Sequence, residues 1–226
     1  MNLKPRPPRQ RPATKMKINE IYRSVQGESS YAGLPCIFVR LTYCNLRCGY
    51  CDTEHAFYEG RDYTVDHVLE EISHFKCQLV EITGGEPLLQ KEVYPLMNSL
   101  IDSHYTVLLE TSGSIDIGKV NPKVVKIMDL KCPSSGECDR NLYTNIDKLQ
   151  PYDEIKFVIG TREDYLWTKK IVEDYRLTER FPVLLSTVFN QIQPKQVVQW
   201  LLEDNLRVRF QLQIHKYIWE PSTRGV

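Results

Sequence analysis

Residues 35–53 read PCIFVRLTYCNLRCGYCDT. The first seven, Pro35 to Leu41, are mostly apolar and predict a buried strand. Three cysteines follow closely, Cys44, Cys48 and Cys51, in a C-x3-C-x2-C spacing. In α/β folds, ligand-binding residues gather at the carboxyl ends of the strands. The segment therefore predicts a strand that delivers a metal-binding loop to this end of a sheet.

Strand-like and helix-like patterns alternate along the rest of the chain. Strands are predicted at 35–41, 79–83, 105–111, 124–130, 154–159, 183–189 and 208–214, and helices from Thr64, from Pro87 to about Ser103, from Thr161 and from Pro194. This alternation is typical of βαβ units and a mostly parallel sheet. A closed eight-fold barrel takes about 250 residues. The chain has only 226, so we expect an α/β fold with an open, partial (β/α) barrel.

The first 15 residues differ from the remainder. They are basic and rich in proline, without strand or helix periodicity, and predict a disordered tail over 1–15. Residues 16–226 are predicted to form a single domain with a cluster loop at 44–53. The net charge of zero and the 42% hydrophobic content of the chain are those of an ordinary globular protein.

Composition also restricts partners and compartment. Neutral net charge gives no reason to expect nucleic-acid binding by the folded body. No apolar run approaches the roughly 20 residues of a membrane span, so no membrane partner is expected. The sequence shows no export signal, and its seven cysteines are an odd number. Both features argue against a disulfide framework and favour a reducing, cytoplasmic location.

Three thiolates can bind three of the four irons of a 4Fe-4S cluster and leave one iron open. The amine and carboxylate of S-adenosylmethionine (SAM) can chelate that iron, and an electron from the cluster can then release a 5′-deoxyadenosyl radical. The alternative of a different class is a structural zinc site or an RNA-binding module with a basic arm. Zinc ribbons use two cysteine pairs, but the other four cysteines form no second pair at that spacing.

Polar motifs end three of the predicted strands: GGEP at 84–87, ETSG at 110–113 and DLKCPSS at 129–135. Two glycines let a backbone approach a ligand closely. The polar groups of the other two motifs can bind the ribose hydroxyls and the carboxylate of SAM. Turn formation and helix capping are the structural alternative for these residues.

A second polar group lies before and beside the cysteines. Gln26 and Glu28 can read the donor and acceptor edge of a nitrogen heterocycle, and Arg40 can pair with a carboxylate. The hydroxyl of Thr53, which follows the last cysteine closely, can bind a hard cation such as Mg2+. These residues indicate a small-molecule site next to the cluster loop.

Near the end of the chain, Gln211, Gln213 and His215 fall on one side of a predicted strand. In a barrel, such a polar stripe faces the interior. On an edge strand it faces the solvent instead, and both alternatives remain open from the residues alone.

Taken together, these segments resemble the 7-carboxy-7-deazaguanine synthase (QueE) family of radical SAM enzymes. The segments are QGE at 26–28, FVRL at 38–41, the cysteine loop with Asp52 and Thr53, TGGEP at 83–87, ETSG at 110–113 and QIHKY at 213–217. The resemblance implies a radical SAM lyase that converts 6-carboxy-5,6,7,8-tetrahydropterin to 7-carboxy-7-deazaguanine with loss of ammonia, in 7-deazapurine and queuosine biosynthesis. The nearest alternative is another radical SAM enzyme, such as a glycyl-radical activase.

The resemblance also implies a homodimer, an external electron donor of the flavodoxin or ferredoxin type, and three cofactors, a 4Fe-4S cluster, SAM and Mg2+. Cys44, Cys48 and Cys51 would hold the cluster, and Thr53 would hold Mg2+. The residues expected to bind SAM are Tyr50, Cys51, Asp52, Gly85, Glu110, Ser112, Lys131, Cys132, Pro133 and Ser134. Those expected to bind the pterin are Val25, Gln26, Gly27, Glu28, Arg40, Thr83, Gln213, His215 and Val226.

The chain departs from the family pattern in two places. Ser29 stands where the family usually has glycine, and a positive φ at that position would strain a serine. The chain also continues past His215-Lys216-Tyr217 by the segment 219–221 before it reaches Val226.

Overall fold

The computed structural model describes residues 14–220 and 223–226, so the tail predicted at 1–15 lies almost entirely outside the described residues. The strands are β1 (Met16–Val25), β2 (Pro35–Leu41), β3 (Arg61–Tyr63), β4 (Leu79–Gly84), β5 (Thr106–Thr111), β6 (Val125–Asp129), β7 (Glu154–Ile159), β8 (Val183–Thr187) and β9 (Arg209–Phe210). The helices are α1 (Val65–Ser73), α2 (Val93–Asp102), α3 (Arg162–Asp174), α4 (Pro194–Glu203) and α5 (His215–Ile218). No described helix has the length and apolar character needed to cross a membrane.

The strands of the described chain form one sheet in the order β3-β1-β2-β4-β5-β6-β7-β8-β9. β2 and β4 to β9 run parallel to one another, whereas β1 and β3 add antiparallel strands at one edge. β3 and β9 remain at opposite edges, so the sheet does not close. The prediction of an α/β fold with a mostly parallel sheet and a partial barrel is confirmed.

The two faces of the sheet differ because successive side chains of a strand point to opposite sides. Val39 and Ile82 pack with the helices into the main apolar core, on a side that we call the helix face. Phe38, Leu108 and Ile127 form a smaller apolar cluster on the opposite side, the cavity face. Towards the carboxyl ends of the strands, the cavity face becomes polar and charged.

Three of the predicted helix starts are confirmed. The Thr64 hydroxyl accepts a hydrogen bond from the backbone N–H of His67 at 3.3 Å. Thr161 and Asp164 form a reciprocal capping box at the start of α3. Pro194 is the first residue of α4, where its missing N–H costs nothing.

The helix predicted from Pro87 is wrong in its first turns. The chain forms a short 3-10 turn at Pro87–Leu89 and enters α2 only at Val93. The cause is Gln90, whose side chain accepts a hydrogen bond from the backbone N–H of Lys17 at 2.6 Å and donates to its carbonyl at 2.8 Å. These bonds to β1 hold Gln90 in an extended conformation, which interrupts the helix.

The strand predicted at 208–214 is also wrong, because only Arg209–Phe210 pair as a strand. The backbone N–H of Gln211 makes one further bond to β8, at 2.8 Å. The backbone N–H of Ile214 then donates to the Gly27 carbonyl at 3.0 Å. This contact turns the chain away from the sheet and into α5.

The expected polar stripe of Gln211, Gln213 and His215 is therefore wrong as a strand feature. Gln211 is buried away from the cavity described below, while Gln213 and His215 reach that cavity from an irregular segment and from α5. A tertiary contact, rather than strand alternation, brings these two residues together.

Candidate active site

A cavity of about 710 Å3 opens at the carboxyl ends of the parallel strands. It is lined by Cys44, Cys48, Cys51 and Thr53. It is also lined by six further residues predicted for SAM, which are Tyr50, Asp52, Gly85, Glu110, Ser112 and Lys131. All the residues predicted for the pterin line it too, namely Val25, Gln26, Gly27, Glu28, Arg40, Thr83, Gln213, His215 and Val226.

Three residues predicted for SAM, Cys132, Pro133 and Ser134, are not part of this lining. Cys132 is fully buried in the core of the helix face, with its sulfur 3.6 Å from the Thr168 hydroxyl. The backbone N–H of Ser134 donates to the Asp164 carboxylate at 2.8 Å. The segment thus packs against α3, and its role towards SAM stays a prediction.

The cluster loop is held by turns that follow other strands. Asn45 donates from its side-chain amide to the Ser114 hydroxyl at 3.0 Å, after β5. The backbone N–H of Gly49 donates to the Ser135 carbonyl at 3.0 Å, after β6. The position of the three cysteines is therefore set by residues far from them in sequence.

The GGEP turn braces the same loop. A Cβ atom on Gly85 would lie 2.3 Å from the Tyr43 carbonyl oxygen and 2.7 Å from the Cys44 Cβ, so only glycine permits this contact. The neighbouring Glu86 is fully buried, and its carboxylate accepts from the backbone N–H of Ser112 at 2.8 Å. Glu86 thereby ties the turn to the end of β5.

The donor set of the loop fits a 4Fe-4S cluster. Its three cysteines are free thiols, and no other described cysteine lines the cavity. Burial raises the pKa of Cys44, and that of Cys48 to about 11, so iron binding must displace their protons. Within the described residues, no three His, Cys, Asp or Glu side chains are placed to hold one metal ion.

Two buried polar atoms beside the loop fit the polar groups of SAM. The Tyr50 hydroxyl and Asp129 Oδ1 are buried without a hydrogen-bond partner among the described residues, and both residues line the cavity. Burial, assisted by the negative charge of Asp129, raises the pKa of Tyr50, so its hydroxyl remains a donor. Buried polar groups of this kind require a partner, which a bound polar ligand can supply.

Lys156 of β7 is the centre of charge on the cavity face. Its ammonium donates to Glu28 at 2.9 Å and to Glu110, and lies 3.7 Å from Asp129 Oδ2. Asp129 Oδ2 is also 2.8 Å from the ammonium of Lys131. Burial alone would lower the pKa of Lys156, but the Glu110 and Glu28 carboxylates raise it well above its ordinary value. Burial alone would raise the pKa of Glu110, and Lys156 instead brings it below its ordinary value.

Arg40, at the end of β2, is held from two sides. Its Nε donates to Glu20 at 2.7 Å and its Nη2 donates to the Tyr22 hydroxyl at 2.9 Å. No described residue accepts a hydrogen bond from Nη1. Arg40 is thus a fixed cation in the cavity wall with a donor available for a carboxylate.

The C-terminal segment packs against the turn that follows β1 and lines the cavity there. Gln213 donates from its side-chain amide to Glu28 Oε1 at 2.6 Å. The imidazole of His215 packs directly on Gly27, because a Cβ atom there would lie 1.9 Å from Nδ1. Burial lowers the pKa of His215, which favours the neutral ring. Val226 also lines the cavity.

Thr53 and Asp52 connect the cysteine loop to this segment. The Thr53 hydroxyl lies 3.8 Å from the Cys51 sulfur, and Asp52 Oδ2 lies 2.6 Å from the ammonium of Lys216. An oxygen donor beside a cavity suits Mg2+, which binds few protein ligands and retains water. Thr53 therefore fits the Mg2+ site implied by the resemblance.

Lys156 and Glu81 also line the cavity, and none of the motifs read from the sequence includes them. Both are flanked by apolar residues in their strands, Glu81 by Val80 and Ile82, and Lys156 by Ile155 and Phe157. A parallel strand buried on both faces reads as a continuous apolar run. The charged residues Glu81 and Lys156 inside such strands were therefore the feature of the sequence that indicated a polar cavity on one face of the sheet.

Residues 39–188 match the model of the Radical SAM superfamily. The chain is 47% identical over 226 residues to a 7-carboxy-7-deazaguanine synthase of Koribacter versatilis, with 93% of this chain and 100% of that protein covered. The chain belongs to the 7-carboxy-7-deazaguanine synthase family. It is 42% identical to the 7-carboxy-7-deazaguanine synthase of Chlorobaculum tepidum, with 93% of this chain and 97% of that protein covered. Membership makes it a radical SAM enzyme, and a 4Fe-4S cluster and SAM are the cofactors of that superfamily.

The fold is also that of a solved family member. The crystal structure of QueE from Escherichia coli superposes with a TM-score of 0.75 at 20% identity, covering 88% of this chain and 93% of that one. At this identity the likeness shows the fold alone. Neither alternative, the glycyl-radical activase or the zinc or RNA-binding module, is favoured by these relatives.

Proposed function

We propose that this member of the synthase family converts 6-carboxy-5,6,7,8-tetrahydropterin to 7-carboxy-7-deazaguanine and ammonia. The observation that carries the proposal is the joining, in one cavity, of the three-cysteine loop and a set of polar side chains suited to a carboxylated nitrogen heterocycle. Substrate and products differ only by the loss of ammonia, so the conversion is redox-neutral and needs no oxidant.

The lining of the cavity supports an assignment of the cofactor sites. Cys44, Cys48 and Cys51 hold the cluster, and Tyr50, Asp52, Gly85, Glu110, Ser112 and Lys131 bind SAM, with 132–134 behind them. When bound there, the cluster and SAM would supply the radical chemistry, next to the residues that hold the pterin. Gly85 lets the turn lie directly against the cysteine loop, since any larger residue there would displace that loop.

The pterin is bound by a second set of cavity residues, different from those assigned to the cluster and SAM. Arg40 pairs with its carboxylate, and Thr53 supplies one oxygen to a Mg2+ ion that orients the same group. Glu28, paired with Lys156, is positioned as an acceptor for ring N–H groups, and Gln213 donates to its carboxylate at 2.6 Å. His215, whose ring packs on Gly27, lies among these residues.

Further parts of the proposal concern partners and location. The enzyme acts as a homodimer, receives electrons from a flavodoxin- or ferredoxin-like donor, and works in the cytoplasm. The resemblance supports the first two, and the odd number of free cysteines supports the third. Sedimentation of the cluster-loaded enzyme tests the dimer, and the monomer mass would contradict it.

The activity is tested by an anaerobic turnover assay read by mass spectrometry. The mixture contains cluster-loaded enzyme, dithionite, SAM, Mg2+ and the carboxylated tetrahydropterin. We expect 7-carboxy-7-deazaguanine and ammonia in equal amounts. If 5′-deoxyadenosine forms without this product, the radical chemistry is present and the substrate is wrong. Stimulation by a protein instead of the pterin would support a glycyl-radical activase.

Two variant pairs test the assigned roles. Arg40→Met should raise the KM for the pterin at least about tenfold, since a charged hydrogen bond is lost, whereas the exposed strand residue Arg23 tolerates the same change. Thr53→Val should raise the Mg2+ concentration needed for half-maximal rate, and Thr53→Ser should not. If Arg40→Met and Arg23→Met had the same KM for the pterin, Arg40 would not be its carboxylate partner. If Thr53→Val and Thr53→Ser needed the same Mg2+ concentration, Thr53 would not be a Mg2+ ligand.

A further inference from the structure

Glu81 lies in the middle of β4 within an apolar layer. In the register of the sheet, its neighbours are Phe38 of β2 on one side and Leu108 of β5 on the other, both buried. Glu81 itself is 3% exposed and lines the floor of the cavity. A hydrocarbon side chain at this position would continue the layer, so the carboxyl group calls for an explanation.

The cations of the cavity wall are bound to other carboxylates. Lys156 pairs with Glu28 and Glu110, Lys131 with Asp129, and Arg40 with Glu20. No Lys, Arg or His of the described residues forms an ion pair with Glu81. A buried carboxylate without a cation is strongly disfavoured and takes up a proton instead.

The groups around Glu81, taken together, also favour its protonated form. The groups that face it are Tyr22 of β1, Cys36 of β2, Glu110 of β5, Lys156 of β7 and Glu28 of the loop after β1. Burial raises the pKa of Glu81 most, and the carboxylates of Glu110 and Glu28 add to it. Lys156 and the bond from Gln26 oppose this shift and are too weak to reverse it.

The hydrogen-bond partner of Glu81 is the carboxamide of Gln26. Gln26 Oε1 accepts from the backbone N–H of Glu28 at 3.1 Å, which fixes the oxygen end of the amide. Gln26 Nε2 therefore faces Glu81 and donates to its Oε2. A neutral Glu81 accepts this bond through its carbonyl oxygen and carries its proton on the other oxygen.

We propose that Glu81 is a positioning residue which, as a neutral carboxylic acid, locks the Gln26 carboxamide in one orientation and so presents its second N–H to the bound pterin. The inference rests on the proposed function for the identity of the ligand. Gln26 is 4% exposed and begins the Gln26-Gly27-Glu28 turn of the pterin wall. An amide fixed at both ends keeps a single donor direction, which favours one edge of the heterocycle over its alternatives.

Two substitutions separate this role from packing. Glu81→Gln keeps an acceptor for Gln26 and a second polar group, and it cannot ionise. Glu81→Leu keeps the approximate volume and removes the acceptor. In the cluster-loaded enzyme we expect Glu81→Gln to hold the KM for the pterin within about threefold of wild type, and Glu81→Leu to raise it at least about tenfold, with a smaller effect on kcat.

The pathway through Gln26 is tested by a double-mutant cycle. If Glu81 acts through Gln26, then Glu81→Leu in a Gln26→Leu background should add less than about twofold to the KM. Full additivity would overturn the positioning role. Equal losses in Glu81→Gln and Glu81→Leu would show that an ionised carboxylate is required, and a wild-type KM in Glu81→Leu would show that the residue positions nothing.

An infrared measurement separates this inference from the proposed function. A neutral Glu81 gives the C=O stretch of a protonated carboxyl group at neutral pH, which disappears in Glu81→Gln and shifts in Gln26→Leu. Absence of the band overturns the inference even if the pterin is turned over. If the wild type forms no product, the proposed substrate fails, while the band and its shift still show whether Glu81 locks Gln26.

Discussion

The two faces of the sheet are made from the same strands and have opposite chemistry. In β4, Val80 and Ile82 are fully buried on the helix face, where each contributes about 1.5–3 kcal/mol to folding. Glu81 and Thr83, their immediate neighbours, line the cavity. A buried polar group opposes folding unless it is bonded. The apolar helix face therefore stabilises the fold, whereas the cavity face carries the polar groups for binding.

Each face of the sheet carries an ion pair centred on a buried lysine. On the helix face, Lys126 lies 2.9 Å from Asp153, and both side chains are at most 3% exposed. Lys126 also donates to the Val124 carbonyl, so this pair is closed to ligands. On the cavity face, Lys156 is shared between Glu28 and Glu110 in the wall of an open site. A lysine–carboxylate ion pair thus has a structural role on the helix face and a binding role on the cavity face.

The largest effect is expected from replacing a cysteine of the loop that lines the cavity. Cys48→Ser should abolish cluster loading and product formation, because only two thiolates then remain in the loop. The control is Cys138→Ser, which changes a cysteine outside the cavity and should leave the brown colour and the activity intact. Iron content and visible absorbance are the measurements. A fully loaded, active Cys48→Ser enzyme would refute the ligand assignment.

The next effect compares the two buried lysines directly. Lys126→Met leaves the fully buried Asp153 without its cation, which costs about 3–5 kcal/mol of unfolding free energy. Lys156→Met leaves Glu28 and Glu110, whose side chains are 15% and 30% exposed, without theirs, so it should cost less. We expect only Lys156→Met to raise the KM for the pterin in the fraction that folds. Urea unfolding gives the first quantity and turnover gives the second. If both variants lost stability with unchanged KM, the cavity-face charges would be structural only.

A smaller effect concerns the pH dependence of Glu81→Gln. The pKa of Glu81 is raised in the folded protein, so above its ordinary value of 4.5 the folded state holds a proton that the unfolded state releases. Wild-type stability should therefore decline as pH rises from there towards the folded pKa. Relative to wild type, Glu81→Gln should gain up to about 1.4 kcal/mol per pH unit in that window. A difference that does not change with pH would indicate an ionised Glu81.

The smallest effect lies in the loop between β1 and β2. Ser29 has a φ of 67°, which is the strained conformation expected where the family usually has glycine. Its hydroxyl accepts from the backbone N–H of Tyr31 at 3.1 Å. Ser29→Gly relieves about 1–2 kcal/mol of backbone strain. It also loses the hydrogen bond to Tyr31 and makes the unfolded chain more flexible, which together cost a similar amount, so the unfolding free energy should change little.

The matched change for this position is Ser29→Ala. It keeps the backbone strain and loses the hydrogen bond, so it should lower the unfolding free energy by about 1 kcal/mol. Thermal unfolding of both variants is the measurement. A clear stabilisation by Ser29→Gly would mean that the hydroxyl contributes less than the strain costs.

Local patterns predicted most of the sheet and its helix starts. Thr64, Thr161 and Pro194 begin helices because capping involves residues three apart or a fixed φ. The errors arose at Gln90 and Gln211, where contacts with distant segments override local preference. Gln90 bonds to β1, and the segment after Gln211 bonds to Gly27, so neither boundary is encoded nearby in the sequence.

The sequence by itself determined the three-thiolate loop, the Gly-Gly turn and the alternation of strands and helices, because each depends on residues close together in the chain. Only the tertiary structure decided that Lys156 joins Glu28 to Glu110, that His215 lies on Gly27, and that Glu81 pairs with no cation of the described residues. These features depend on distances between strands that are remote in sequence. The charge state of a buried group is set by such neighbours rather than by its own residue type.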